Sequence, residues 1–357
     1  MRAAVFHAPN DALTVEDIDL DEPRGEEVVV RTGASGVCHS DLHFVDGFYS
    51  MVTPAVLGHE GAGVVEEVGD NVTAVKPGDH VILAWRTNCG ICEMCQHGWP
   101  NNCLAPPSTG QRGTVAGERL HRFTDTGTFS THTIVPAVAP VVIPKEVPFA
   151  QAALIGCGVM TGFGAAVNTA RVRAGSTVAV FGCGGVGLNC IQGARVAGAE
   201  MIIAVDLRDN KLELGRRFGA THTVNAARDD ALDAILSLTG GVGVHYAFEA
   251  IGVASEPYLN SVRCTRRRGV TVWVGHAPLN TPVQLDARDL FFEKTVIGSF
   301  YGSARTHVDF LRILSLYREG KLLLDELVSK RLPLEQVNSA FESLAQGEVA
   351  RSVLVME

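Results

Sequence analysis

The stretch from Thr177 to Asp206 constrains the fold more than any other part of the chain. Thr177-Val178-Ala179-Val180-Phe181 is an uninterrupted apolar run, and Gly182-x-Gly184-x-x-Gly187 follows it at once. A helical stretch over 186–197 comes next, then Met201-Ile202-Ile203-Ala204-Val205 and Asp206. Continuous apolar runs of this length read as strands buried on both faces, and parallel strands need crossover helices between them. The alternation continues, with strands expected at 222–224, 246–249, 270–274 and 296–298. Helices are expected at 211–218, 229–238 and 254–262. This pattern predicts an α/β doubly wound parallel sheet.

A glycine triplet alone is weak evidence. Here a strand precedes it, a helix follows, and Asp206 stands nineteen residues after Gly187. Gly182 permits the tight turn, Gly184 lets the backbone approach a pyrophosphate, and Gly187 lets the helix pack closely on the strand. Gly185 and Val186 open the helix, whose unpaired N–H groups face phosphates. A carboxylate at Asp206 accepts hydrogen bonds from both ribose hydroxyls and repels a 2′-phosphate, which favours NAD over NADP. Arg208, two residues on, keeps NADP open. Val274, at the end of a later strand, is placed among the cofactor contacts.

A second signal is Cys89-x2-Cys92-x2-Cys95-x7-Cys103. Zinc takes four soft ligands in a tetrahedron, and short spacings let one loop supply them. An iron–sulfur run would place three residues before its last cysteine and a proline after it. Here the gap is seven residues and Leu104 follows. A redox Cys-x-x-Cys needs only one pair. A structural zinc is expected, with no open position for chemistry. Cys38, His59 in Gly58-His59-Glu60, and Cys157 are candidates for a reactive metal site, although spacing alone does not unite them. A lone cysteine is more often a small buried apolar residue, as Cys183, Cys190 and Cys264 are taken to be. His7, His80, His97 and His222 read as structural or surface histidines.

Bulk properties set bounds. The chain has 357 residues, room for two domains, and is 46% hydrophobic and 19% charged. A net charge of −9 offers no electrostatic footprint for nucleic acid or an anionic membrane. Arg266-Arg267-Arg268 beside Gly269 reads as a solvated turn before a strand. No charged-then-apolar leader and no uncharged apolar run of spanning length is evident, so the expected location is the cytoplasm and no membrane partner is expected. Nine cysteines, an odd number, point to thiols and metal ligands rather than a disulfide framework. Residues 1–150 carry β-branched runs at 27–31, 63–68, 80–83 and 133–135, broken by Gly, Pro and Asp, which suits a mostly antiparallel β-domain. An amphipathic helix is expected at 307–317, and a last strand at 352–356 rejoins the first domain. The expected division is 1–158 with 302–357, and 159–301.

Taken in order, Gly36-Val37-Cys38-His39-Ser40-Asp41-x-His43, Gly58-His59-Glu60-Gly61-x-Gly63, the four-cysteine lobe, Gly156-Cys157-Gly158-x-x-Thr161-Gly162-x-Gly164 and the glycine loop with Asp206 resemble the zinc-dependent medium-chain alcohol dehydrogenases. The likeness runs from the first strand to Arg351-Ser352-Val353-Leu354. It implies a GroES-like catalytic domain, a Rossmann domain, two zinc ions per subunit and NAD. Cys38, His59 and Cys157 would hold the catalytic zinc, with Glu60 behind it and Asp41 fixing the His59 imidazole. Ser40 would receive the alcohol's proton and pass it through the nicotinamide ribose to His43. His39 and Arg351 would neutralise the pyrophosphate, Thr161 would contact the nicotinamide, and Lys211 would sit by the adenosine ribose. Zinc acidifies the alcohol, and hydride passes to the nicotinamide ring.

The resemblance also bears on substrate. Polyol dehydrogenases of the family usually carry glutamate at the position of Cys157. Glutathione-adduct enzymes carry an acidic pair where this chain has Phe48-Tyr49-Ser50-Met51, and usually lack the histidine present here at His43. Trp85-Arg86 and Gly156-Cys157-Gly158-Val159-Met160 are similar to a bacterial branch with mycothiol-adduct dehydrogenases. Phe48, Tyr49 and Trp85, with Met51, would form a mainly apolar pocket for a primary aliphatic or aromatic alcohol, or else pack as ordinary core. A thiol–formaldehyde adduct stands as the alternative substrate, and an NAD-binding protein without activity as a remote one. Relatives pair through the edges of their nucleotide-domain sheets, where 296–300 would lie, so a homodimer or homotetramer is implied.

Overall fold

The computed structural model describes residues 1–107, 112–347 and 350–356. The chain divides into two compact units. The first is Met1–Gly158, Arg305–Tyr317 and Leu324–Glu357; the second is Val159–Ala304 and Arg318–Leu323. A boundary at 301/302 alone leaves out that last return. Side-chain bonds explain it: the Gln192 amide donates to the Leu323 carbonyl at 3.1 Å and accepts from its N–H at 2.6 Å, and Arg195 donates to the Lys321 carbonyl at 2.8 Å.

In the first unit the strand Glu27–Gly36 is the hub. It pairs antiparallel with Glu60–Val68, His132–Pro136 and Arg351–Val355. Among the described residues these belong to a seven-stranded sheet, and a six-stranded sheet holds Arg2–Phe6 and Thr14–Leu20. The first core gathers Phe6, Leu57, Phe129, Phe341 and Leu354; another lies among Val28, Val30, Val65, Leu83 and Val135. Thr14–Leu20 falls within a stretch whose acidic residues hide it, because Ile18 alone is buried in that strand.

The second unit is a parallel sheet, six-stranded among the described residues. Its order is His222–Asn225, Met201–Asp206, Thr177–Phe181, Val244–Glu249, Thr265–Trp273, Thr295–Gly298. Thr177–Phe181 has neighbours on both sides, so the strand order reverses at the glycine loop that follows it. Ligands bind at such a switch point. The helix Asp209–Phe218 buries Leu212, Gly215 and Phe218 at helical spacing and ends on Gly219 at φ +119°. Asp230 caps Ala231–Leu238 by accepting from the Asp233 N–H at 2.9 Å.

Two expectations need correction. Arg266, Arg267 and Arg268 lie inside the strand Thr265–Trp273, not in a turn before it. Pairing jumps from Val244↔Thr265 to Tyr246↔Val270, so the arginines form a bulge, with Arg268 at φ +58°. An apolar run of spanning length also exists. The helix Phe149–Thr169 has 21 residues, and 83% of its most apolar window, with a mean hydropathy of 1.5, is buried inside the protein. Gly156, Gly158, Gly162 and Gly164 mask it in sequence, and its burial marks a core helix.

Candidate active site

Three segments of the first unit bring the ligand candidates together. Cys38 ends the hub strand's extension and caps the short helix His39–Val45. The approach depends on Gly36, where a Cβ would lie 2.1 Å from Glu60 Oε2 and 2.8 Å from Leu154 Cδ2. His59 follows Gly58, at φ +90°, and precedes the strand Glu60–Val68. Cys157 sits in a π-helical turn, Ile155–Val159, of the long core helix. Such turns often occur at functional sites. The ligating atoms of Cys38, His59, Glu60 and Cys157 all lie within 4.8 Å of one another.

Asp41, fully buried, accepts from His59 Nδ1 at 3.0 Å and from the Gly58 N–H at 2.9 Å. This holds the ring by Nδ1 and leaves Nε2, buried and with no hydrogen-bond partner, on the side of the thiols. Burial opposes charge on His59, yet Asp41 and the Cys38 thiolate hold its pKa well above the usual histidine value. A hydrogen bond with Cys157 pulls the Cys38 thiol well below its ordinary range, and the same contact pushes Cys157 well above. A hydrogen bond joins the two sulfurs, and a bound cation would displace its proton. Two buried cysteine sulfurs and an imidazole nitrogen without a hydrogen-bond partner, with the fourth candidate Glu60 engaged by Arg351, suit a catalytic zinc with an open position.

Glu60 stands behind this cluster. Burial raises its pKa, Arg351 opposes the rise, and the Gly158 N–H donates to Oε1 at 3.0 Å. The Arg351 guanidinium is buried against Glu60 Oε2, and this ion pair holds the arginine protonated despite burial. The structure thus places Arg351 on the carboxylate beside the ligands, a contact the sequence did not suggest.

The cysteine lobe is a separate cluster. Cys92 lies 3.5 Å from Cys95 and 3.9 Å from Cys103, and Cys103 lies 3.6 Å from Cys89, sulfur to sulfur. A zinc tetrahedron with bonds of about 2.3 Å has edges of about 3.8 Å. All four are free thiols, so no disulfide competes. Backbone N–H groups point at the sulfurs: Leu104 to Cys92 at 3.5 Å, Cys92 to Cys89 at 3.4 Å, Cys89 to Cys103 at 3.3 Å. Those from Leu104 and Cys95 lower the Cys92 thiol to about 6. The geometry fits a closed structural zinc site.

Around His59 the walls are aromatic. Trp85 lies edge-on at 6.2 Å between ring centroids, and Phe123 edge-on at 5.3 Å. Phe44 packs on Phe123 at 4.7 Å. Phe123 was missed, because an aromatic residue in a loop carries no periodic signature. Phe48 and Tyr49 contact His43, edge-on at 5.4 and 5.6 Å, and Phe48 is 56% exposed. Ser40 and His43 share the helix His39–Val45 at i, i+3, hence one face. The Ser40 hydroxyl lies 3.8 Å from Cys38 Sγ, and His39 is exposed on the same helix.

In the second unit the glycine loop has the shape of a phosphate cradle. Gly182 adopts φ +93°, a Cβ on Gly184 would meet nothing within 4 Å, and a Cβ on Gly187 would lie 1.8 Å from the Gly182 carbonyl oxygen. The helix Gly185–Val196 starts there without a side-chain cap. Asp206 accepts from the Cys183 N–H at 2.8 Å and the Arg208 N–H at 3.1 Å, which fixes its carboxylate at the loop. Burial lowers the Lys211 ammonium while Asp206 pulls it up, so the two are neighbours. The Val274 N–H donates to the Glu249 carbonyl at 2.8 Å. Glu249, buried and also unforeseen, accepts from the N–H groups of Ile251 at 2.8 Å and Gly252 at 2.9 Å. Thr161 is half-buried on the long core helix. The open space at Gly184, the uncapped helix and the acid at the next strand's end suit a dinucleotide.

Comparisons with known proteins agree with this geometry. The alcohol dehydrogenase GroES-like domain matches residues 24–145, and the zinc-binding dehydrogenase domain matches residues 185–316. An NDMA-dependent alcohol dehydrogenase of Amycolatopsis methanolica is 40% identical over 99% of this chain and 98% of its own length. The S-(hydroxymethyl)glutathione dehydrogenase of Saccharomyces cerevisiae is 37% identical over 99% of this chain and 95% of its own. The crystal structure of benzyl alcohol dehydrogenase from Acinetobacter calcoaceticus superposes with a TM-score of 0.94 at 33% identity, covering 100% of this chain and 99% of that one.

Proposed function

We propose, from the premise that this chain belongs to the zinc-dependent alcohol dehydrogenase family, that it oxidises primary aliphatic or aromatic alcohols to aldehydes with NAD, reversibly. The observation that carries the substrate class is the aromatic wall of Trp85 and Phe123 beside His59. A zinc ion held by Cys38, His59 and Cys157 would supply the Lewis acidity that lowers the pKa of a hydroxyl, and NAD the hydride acceptor.

The chain's own residues do the rest. Asp41 orients His59 through Nδ1. Ser40 takes the proton leaving the alcohol and His43 passes it to water, since an imidazole titrates near neutrality. Trp85 and Phe123 exclude water and favour an apolar substrate body. Arg351 neutralises Glu60. The glycine loop and Asp206 hold the dinucleotide, and the carboxylate selects against a 2′-phosphate. Two copies pair along the edge strand Thr295–Gly298, beside exposed Phe291 and Phe300. The enzyme works in the cytoplasm, where free thiols persist.

A second reading is a thiol–formaldehyde adduct dehydrogenase, favoured by the full-length likeness to the S-(hydroxymethyl)glutathione enzyme. NADH formation by the zinc-loaded protein is measured over primary alcohols and formaldehyde, with and without low-molecular-weight thiols. Oxidation of benzyl or medium-chain alcohols without a thiol is the expected result. Activity only with formaldehyde plus a thiol moves the assignment to the adduct enzyme.

A further inference from the structure

Three successive residues, Trp85, Arg86 and Thr87, follow the strand His80–Leu83 and run into the cysteine lobe. Each contacts a different part of the first unit. Trp85 stands edge-on to His59. Arg86 Nη2 donates to two carbonyls of the lobe, that of the ligand Cys103 and that of Ala105, the latter at 3.0 Å. The Thr87 N–H donates to Asp125 Oδ2 at 3.2 Å, and the Thr87 hydroxyl donates to the same oxygen. Asp125 is fully buried and lies two residues beyond Phe123, the other aromatic wall of the site.

The same loop is tied to the ligand segment. The Thr128 N–H donates to the Gly58 carbonyl at 2.9 Å and the Thr126 hydroxyl to it at 3.3 Å, directly before His59. Both walls therefore hang from residues 85–87, and the middle one is clamped to the metal lobe. Cys103 is the buried member of the four, and its sulfur also accepts from the N–H groups of Cys89 and Ala105 at 3.3 and 3.4 Å. A metal that fixes Cys103 thereby fixes the carbonyls that Arg86 holds.

We propose that Arg86 is a positioning residue through which the metal-loaded lobe sets the Trp85 and Phe123 walls, so that the lobe governs choice among alcohols while the reaction itself proceeds without it. The inference rests on the aromatic wall being the substrate surface. A guanidinium suits this role because the two N–H bonds of one Nη lie in a rigid plane and can reach two carbonyls. A displacement of about 1 Å in a positioning group can cost on the order of a hundredfold in rate.

The test compares the zinc-loaded wild type with R86M, R86K, W85A and R86M/W85A. The readouts are kcat and KM for ethanol and benzyl alcohol, and the rate at which metal passes to a metallochromic dye. R86M is expected to keep kcat on ethanol within about twofold and to lower the benzyl-to-ethanol ratio of kcat/KM by roughly ten- to a hundredfold. It is also expected to release one metal equivalent faster. R86K, keeping a charged donor group without the planar geometry, recovers part of both effects. The double variant loses less than the sum of the two single losses, since Arg86 acts in part through Trp85. An unchanged ratio in R86M beside a lowered one in W85A overturns the role of Arg86 and leaves the wall intact. An unchanged ratio in W85A overturns the wall itself. Additive losses in the double variant also overturn the inference. If R86M does not fold, R86K carries the comparison, and wild-type selectivity and metal release in that variant overturn the proposal.

Discussion

Glu60 is a carboxylate with no access to water, and its environment decides what the site tolerates. Burial alone would favour the neutral acid; Arg351 and the Gly158 N–H support the charged form. Replacing Arg351 by Met leaves that charge buried without a partner, which costs about 3–5 kcal/mol. The expected result is a lower urea midpoint for R351M, with most of the loss restored in E60Q/R351M. The pH dependence follows from the sign of the shift. Without the guanidinium the folded-state pKa of Glu60 rises further above its unfolded value, so the native state binds the proton more tightly. The stability of R351M then falls as pH rises above about 4, the ordinary carboxylate value. Constant stability across that range would mean that Glu60 reaches another partner. At this scale the sequence was only partly legible. The ligand candidates and Asp41, which the structure brings together, were nameable because their motifs are local and match a family. The pairing of Glu60 with Arg351 spans 291 residues, and no local pattern reports it.

Glycines show how the same residue type was legible in one element and opaque in another. In the loop after Thr177–Phe181 their spacing is a known signature, and the structure gives the reason: a Cβ on Gly187 would sit 1.8 Å from the Gly182 carbonyl. G187A must therefore open the loop. NADH titrations by fluorescence are expected to show at least about tenfold weaker binding, or 1.4 kcal/mol, with metal content unchanged. Unaltered affinity would remove the loop from the cofactor site. In the helix Phe149–Thr169 the glycines carry no such signature, and glycine costs a helix about 1 kcal/mol. They serve close approach instead: a Cβ on Gly162 would lie 2.1 Å from the Val186 carbonyl, and one on Gly164 2.2 Å from that of Gly302. The parallel strands were readable as apolar runs, whereas Thr14–Leu20, with one buried residue, was not. The arginine bulge in Thr265–Trp273 was opaque because three charges in a row mimic a solvated turn.

Over the whole molecule, each unit has its own apolar core, and both four-residue metal clusters found among the described residues belong to the first. The cofactor loop belongs to the second. Scanning calorimetry should therefore separate two responses. Chelation is expected to lower the transition of the first unit, and saturating NADH to raise that of the second by about 2.7 kcal/mol at a hundred times Kd. A chelator that shifts neither transition would count against structural zinc. The change of texture along the sequence exposed this two-part plan, yet not the return of Arg318–Leu323, which depends on single side chains, Gln192 and Arg195. The pairing of Glu60 with Arg351 also has a consequence for how the protein is made. Cys89 and Cys103 are 14 residues apart in sequence, so the cysteine lobe can close soon after it leaves the ribosome. Glu60 must wait for Arg351, 291 residues later. At about 5–20 residues per second that wait is roughly 15–60 s. Until then a nascent chain cannot bury this carboxylate as an ion pair, so a ribosome stalled before residue 351 leaves the cluster of Cys38, His59, Glu60 and Cys157 without its counter-ion.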